Sequence, residues 1–206
     1  MKSGWTLTGA AVLLALLMES PLPAAAAPPS TADAAVLQEA NCVYDGMSDA
    51  EVVKMVDVYL RRDDTEKPAV EQAISAAYAT CAAKFNWKTD RRDLAGQIAL
   101  QGAIIDVVLG YMTQHGLKDD GVIVNVWNKL GDDDLKPLLA QDWDKDEALA
   151  ARLHKALVDG GVPDQGEMID NAVLVLMSAT RQSAAMNQWL LISSADSGPP
   201  AAAKPN

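Results

Sequence analysis

Residues 94–112 read LAGQIALQGAIIDVVLGYM, and this stretch decides the fold class. Its large apolar residues recur at the three- and four-residue spacing of an α-helix, and alanines and glycines fill a second face of the same helix. A helix that is apolar nearly all round lies at the centre of a protein, wrapped by its neighbours. We therefore predict a long central helix over residues 90–115, capped by Thr89 and closed by Gly116.

On both sides of this helix in the sequence, the same periodicity and the helix-cap signals predict six further helices. Ser48 to Glu51 is a capping box that opens one helix, and Pro68 lies where a first-turn proline starts the next. Acidic residues mark the starts of three more helices. The last helix is predicted over residues 165–192, after the helix break at Gly160-Gly161-Val162-Pro163. The acidic starts are Asp119-Asp120, Asp132-Asp133-Asp134 and a second capping box from Asp144 to Glu147. The predicted fold class is all-α, a single compact bundle of about six to seven helices.

The ends of the chain differ in composition from the predicted bundle. Lys2, an apolar run over residues 7–18 and the small residues before Pro28 are typical of a secretory signal peptide over residues 1–27, cleaved after Ala26 or Ala27. Residues 28–40 are expected to form a flexible N-terminal segment, residues 41–192 the helical domain, and residues 193–206 a disordered tail rich in Ala, Pro and Ser. The predicted location is therefore outside the cytoplasm, periplasmic or secreted.

Composition and charge limit the classes of partner. The 206 residues contain 17 Lys and Arg against 28 Asp and Glu, a formal charge of −11, which argues against nucleic acid because that affinity rests on clustered basic residues. An acidic surface of this kind could dock a basic partner. Gln97, Gln101 and Asp106 interrupt the most apolar stretch, so no membrane span is expected after cleavage of the signal.

Two cysteines, Cys42 and Cys81, remain after export. In an oxidising compartment a disulfide is the expected state of such a pair. The stripe Ile74, Tyr78, Cys81 and Phe85 places Cys81 on the inner face of its helix. The pair should therefore staple the N-terminal segment onto this helix.

Catalytic signatures are lacking, with no nucleophile elbow, Walker loop or zinc motif in the sequence. Asp142, Asp144 and Asp146 have the spacing of the first half of an EF-hand loop, but Glu147 stands where the turn needs Gly and Leu153 where a bidentate Glu belongs. These aspartates are weak candidates for an acidic site, and helix capping accounts for Asp144. We expect no catalytic residues, no bound metal and no cofactor.

Asp106 is the candidate functional or buried acid. It lies within Ile104-Ile105-Asp106-Val107-Val108, on the flank of the main apolar stripe of the central helix. If it is buried it needs a partner and its pKa should rise, as in functional acids. The alternative is a flank carboxylate bonded to a neighbouring helix or to water.

Together these features predict an exported helical protein that acts by non-catalytic binding of a protein or peptide. One alternative is a carrier or sensor that holds a small apolar ligand between its helices. Another is an enzyme that uses acidic residues. The oligomeric state stays open.

Overall fold

The computed structural model describes residues 31–62, 64–140 and 143–197. The predicted signal peptide, Asp142 and residues 198–206 of the predicted tail lie outside these residues. Regular structure in the described part of the chain is helical throughout, which confirms the predicted all-α class. In chain order the helices are α1 Thr31–Asp45, α2 Asp49–Arg61, α3 Lys67–Phe85, α4 Arg92–Gln114, α5 Gly121–Trp127, α6 Asp132–Ala140, α7 Glu147–Gly160 and α8 Gly166–Ser197, with a 3-10 turn at Trp143–Lys145.

The central helix and its long partner form the core. The most extensive contact between helices joins α4 to α8, and α1 and α2 pack against α4. Helices α5, α6 and α7 pack against α8, and α5 also packs against α7. Among the fully buried residues at the centre are Ile98, Ile104 and Met112 of α4, with Leu176 and Trp189 of α8.

Helix α4 also has the length and composition of a membrane span. It is the one such helix in the residues described, and 61% of its most apolar 18-residue segment is buried inside the protein. That burial is the packing expected of a core helix.

Several helix ends follow the local chemistry of the sequence. Ser48 and Glu51 form the predicted capping box of α2. Pro68 lies in the first turn of α3, and Gly161 ends α7 in the left-handed region with φ +107°. Val122, Ile123 and Val124, β-branched residues that favour strands, lie in α5, the helix predicted to start at Asp119-Asp120.

Other ends differ from the prediction. Asp146, not Asp144, is the N-cap of α7, and its carboxylate accepts the backbone N–H of Leu149 at 3.0 Å. Helix α4 begins at Arg92 instead of residue 90, without a side-chain cap from its N-cap residue Arg91. The tail was predicted from residue 193, yet α8 continues to Ser197.

The largest departure is α1, which occupies most of the segment predicted to be flexible over residues 28–40. Its inner face contains Leu37, Ala40 and Tyr44, which are all buried. The apolar stripe is difficult to recognise in the sequence because alanine is common in both helices and low-complexity segments. Packing against α3 and α4 stabilises α1, and this packing cannot be predicted from the composition of the segment.

The predicted staple is present. Cys42 of α1 and Cys81 of α3 form a disulfide with their Cα atoms 5.9 Å apart. Cys81 is 1% exposed, as the helical stripe predicted. The bond fixes α1 to the side of α3.

Candidate functional site

The connection between α3 and α4 places an aromatic residue and an arginine at one end of the bundle. Asn86 ends α3 with φ +52°, a left-handed conformation that asparagine tolerates better than most residues. The backbone N–H of Trp87 then donates to the carbonyl of Ala82 at 3.1 Å. This turn brings the half-buried ring of Trp87 against the bundle.

Trp87 lies in a cluster of aromatic rings. Its centroid is 5.0 Å from that of Trp189 in an edge-to-face arrangement and 5.3 Å from that of Tyr78. Phe85 stacks nearly parallel to it at 6.2 Å. The cluster joins α3, the α3–α4 connection and α8, and such ring pairs contribute beyond the area that they bury.

Arg91 is the charged residue at the centre of this end. It is 4% exposed, and its Nη1 lies 3.0 Å from Oε1 of Glu39 and 2.8 Å from Oγ of Ser193. Its guanidinium also lies over the ring of Trp189, 4.8 Å from the centroid. Arg91 thus connects α1, α4 and α8 through one planar group.

Two buried indole N–H groups accompany the arginine. The Nε1 atoms of Trp87 and Trp189 are both covered by protein, and neither has an acceptor among the residues described. An unsatisfied buried donor costs roughly 1–3 kcal/mol, and native proteins keep few of them. Both donors belong to rings of the same aromatic cluster.

An open cleft of about 310 Å³ lies beside this cluster, and we call it the Trp87 cleft. Three helices and the α3–α4 connection contribute to its wall. The lining residues are Val36, Glu39, Phe85, Asn86, Trp87, Lys88, Arg91 and Ser193. A second cleft of about 590 Å³ shares Arg91 and is lined by Asp90, Arg92, Asp93, Leu94, Gln97, Gln188 and Ile192.

The Trp87 cleft is locally basic in an acidic protein. Its ionisable lining residues are Lys88 and Arg91, with one negative charge from Glu39, so its formal charge is 2 − 1 = +1. Lys88 is exposed and has no ion-pair partner among the described residues. The chain as a whole carries −11.

Asp90, in the second cleft, is held in its charged form. Its carboxylate accepts the backbone N–H of Arg92 at 3.0 Å and the hydroxyl of Tyr78 at 3.0 Å. These hydrogen bonds lower the pKa of Asp90, the bond from Arg92 most strongly. A carboxyl with a lowered pKa is poorly suited to donate a proton at neutral pH.

Asp106, the acid singled out in the sequence, lies elsewhere on α4. It is half-buried, and its Oδ2 accepts a hydrogen bond from the hydroxyl of Tyr44 on α1. Burial and this bond raise the pKa of Tyr44 well above its ordinary value. Asp106 is 15 residues from Arg91, roughly 22 Å along the helix, so it does not belong to the Trp87 cleft.

Of the three aspartates of the incomplete EF-hand pattern, the structure describes Asp144 and Asp146. Asp142 lies outside the described residues, Asp144 is exposed in the 3-10 turn, and Asp146 caps α7. Within residues 31–62, 64–140 and 143–197, no group of three or more His, Cys, Asp or Glu is placed to hold a metal ion.

The residues of the Trp87 cleft were not predicted from the sequence. Glu39 fell in the segment expected to be flexible, and Ser193 in the expected tail. The one signal available was the run Trp87 to Arg92, in which a tryptophan and three cations occupy a short connection between helices.

Comparison of the chain with protein-family models, with curated proteins and with solved structures finds no match.

Proposed function

We propose that this is an exported, non-catalytic binding module whose ligand is a protein or peptide segment, and that the Trp87 cleft is its binding site. The observation that carries the proposal is the combination of an open cleft, an aromatic cluster and a buried arginine with two unsatisfied indole donors. Tryptophan and arginine are enriched among the residues that dominate binding energy in protein interfaces.

Export is supported by the disulfide and by the composition of residues 1–27. Disulfides persist in oxidising compartments and are rare in the cytosol. Cell fractionation followed by N-terminal sequencing tests this part of the proposal. The exported chain should begin at Ala27 or Pro28, and a cytosolic chain with residue 1 intact would contradict it.

The packing of the core favours surface binding over the carriage of an apolar ligand between helices. Helices α4 and α8 pack closely, and both contain small residues with no exposed surface, such as Ala99, Ala103 and Ala172. Small side chains bring the helices close together and leave little volume between them. The lowered pKa of Asp90 likewise gives little support to acid catalysis in the second cleft.

The experiment is a binding screen on an array of random heptapeptides attached through their N-termini. Each sequence is present as the free acid and as the C-terminal amide, and the probe is the disulfide-bonded exported chain carrying a fluorescent label. We expect a subset of peptides, of either form, to retain the wild-type protein and to lose Trp87→Ala.

Trp143→Ala is the matched control, because Trp143 is also partly buried but does not line the cleft. It should bind the same peptides as the wild type. Failure of every peptide to bind, or equal binding by Trp87→Ala, would refute the proposed function, provided that circular dichroism shows both variants to be folded.

A further inference from the structure

We propose that the Trp87 cleft recognises a single carboxylate next to an apolar group, and that the natural source is the C-terminal residue of a peptide. This inference rests on the proposed function and specifies its ligand. It follows from the charge, the apolar wall and the hydrogen-bond donors of the cleft, which are considered in turn.

The charge of the cleft matches one negative charge. Glu39 already neutralises Arg91 at 3.0 Å, so that the uncompensated charge belongs to Lys88. Because the ion pair is 3% exposed on the arginine side and 20% on the glutamate side, a ligand meets Arg91 as part of a neutral pair. A monoanion therefore balances the cleft, whereas a doubly charged phosphate would leave an excess negative charge next to Glu39.

The apolar lining residues indicate which chemical group should accompany the carboxylate in the ligand. Val36, Phe85 and Trp87 supply apolar groups to the lining of the cleft, and Lys88, Asn86 and Ser193 supply polar groups. A volume of about 310 Å³ is at the lower end of the roughly 300–1,000 Å³ range of small-ligand pockets. This space suits one terminal residue with an aliphatic or aromatic side chain.

Two exposed residues supply hydrogen-bond donors to this cleft. Lys88 has no ion-pair partner among the described residues, and Asn86, whose side-chain amide has two donor hydrogens, is an exposed residue of the lining. A carboxylate offers two oxygens that accept several hydrogen bonds each.

The test uses the peptides selected on the array, resynthesised in both forms and measured by isothermal titration calorimetry with the disulfide-bonded exported chain. We expect apolar C-terminal residues, and about tenfold or greater loss of affinity when the acid is replaced by the amide, as for loss of a charge-assisted hydrogen bond. If acid and amide bind equally and Trp87→Ala abolishes both, the carboxylate inference fails while the proposed function stands.

Lys88→Gln separates the charge from the fold, because Lys88 is exposed and its removal should not unfold the protein. It should lower affinity for the acid and leave that for the amide unchanged. The matched control is Lys118→Gln, an exposed lysine beyond the other end of α4, which should change neither. Equal weakening of acid and amide by Lys88→Gln would overturn the inference.

Two competitors distinguish other sources of the same charge. Isovalerate presents a carboxylate and an aliphatic group without a peptide, and inorganic phosphate presents a different anion. Both should compete at least about tenfold more weakly than the peptide acid, which adds apolar contacts. Isovalerate of equal affinity would identify a small carboxylic acid as the ligand instead, and stronger competition by phosphate would overturn the carboxylate assignment.

Discussion

At the scale of single residues, the hydrogen bond between Tyr44 and Asp106 joins α1 to α4. Tyr44→Phe removes the donor and leaves a half-buried carboxylate without it, so we expect the free energy of unfolding to fall by about 1–3 kcal/mol at pH 7. Urea denaturation followed by circular dichroism measures the change. Tyr59→Phe is the control, because that ring is 39% exposed and its loss should have a smaller effect.

The same tyrosine predicts a pH dependence. Because the pKa of Tyr44 is raised in the folded protein above the ordinary 10.0, its stabilising effect is complete below pH 10 and is lost as the pH rises toward the folded-state pKa. The stability advantage of the wild type over Tyr44→Phe should therefore be constant from pH 7 to about pH 9.5 and shrink above pH 10. An advantage that grows with alkaline pH would contradict the assigned direction.

The sequence identified Asp106 as a residue in need of a partner, and the structure supplies one on a neighbouring helix. It could not identify Tyr44 as that partner, since the contact depends on how α1 packs against α4. The burial of Arg91 could not be predicted from the sequence for a similar reason. Nothing in the pair Arg91-Arg92 shows which arginine is buried, because burial depends on Glu39 and Trp189, which are distant in sequence.

At the scale of helices, the start of α7 offers a direct test. Asp146→Ala should lower the free energy of unfolding by about 1 kcal/mol, because the carboxylate of Asp146 caps the backbone N–H of Leu149. Asp144→Ala, two residues away and exposed, should change it by less than about 0.5 kcal/mol. Thermal or urea denaturation distinguishes the two variants. A larger loss of stability in Asp144→Ala would support Asp144 as the N-cap of α7, as the sequence predicted.

The close approach of α5 and α7 depends on Gly160. A Cβ at this position would lie 2.8 Å from Cγ1 of Val122, a stiff and buried side chain. Gly160→Ala should therefore destabilise the protein by about 1–3 kcal/mol. Gly110→Ala, in an exposed part of α4 with nothing within 4 Å, should instead stabilise it by roughly 0.5–1 kcal/mol. Denaturant midpoints of both variants check the opposite signs.

Helix periodicity and caps were sufficient for α2 to α8, whose apolar stripes contain large residues. They failed for α1, in which alanines fill much of the stripe and the burial of Leu37 depends on tertiary packing. They also misplaced the cap of α7, because Asp144 and Asp146 both have residue types that cap helices, and only the backbone geometry chooses between them.

At the scale of the whole molecule, the disulfide limits the unfolded chain. Cys42 and Cys81 are 39 residues apart, and closing a loop of that length stabilises the fold by about 4 kcal/mol in the chain-entropy model. The double variant Cys42→Ser/Cys81→Ala should unfold at correspondingly lower urea concentration while keeping a helical spectrum. Wild type treated with a reductant should behave in the same way, and unchanged stability in both would show that the loop contributes nothing.

Net charge was a poor guide to the charge of the candidate site. The total of −11 suggested an acidic surface for a basic partner, whereas the Trp87 cleft carries a formal charge of +1. A sum over the chain cannot show how charges are grouped, and the group at this cleft comes from three helices and the connection between α3 and α4.

The contacts of Arg91 also have a kinetic consequence. Glu39 is 52 residues before it and Ser193 is 102 residues after it, so the cleft closes two long loops of chain. Such closures carry an entropic cost and are late events in folding, and the last turns of a terminal helix are the first to fray. The proposed binding site should therefore form only once α8 has packed, and transient opening of the end of α8 would release a bound ligand while the disulfide-linked core stays folded.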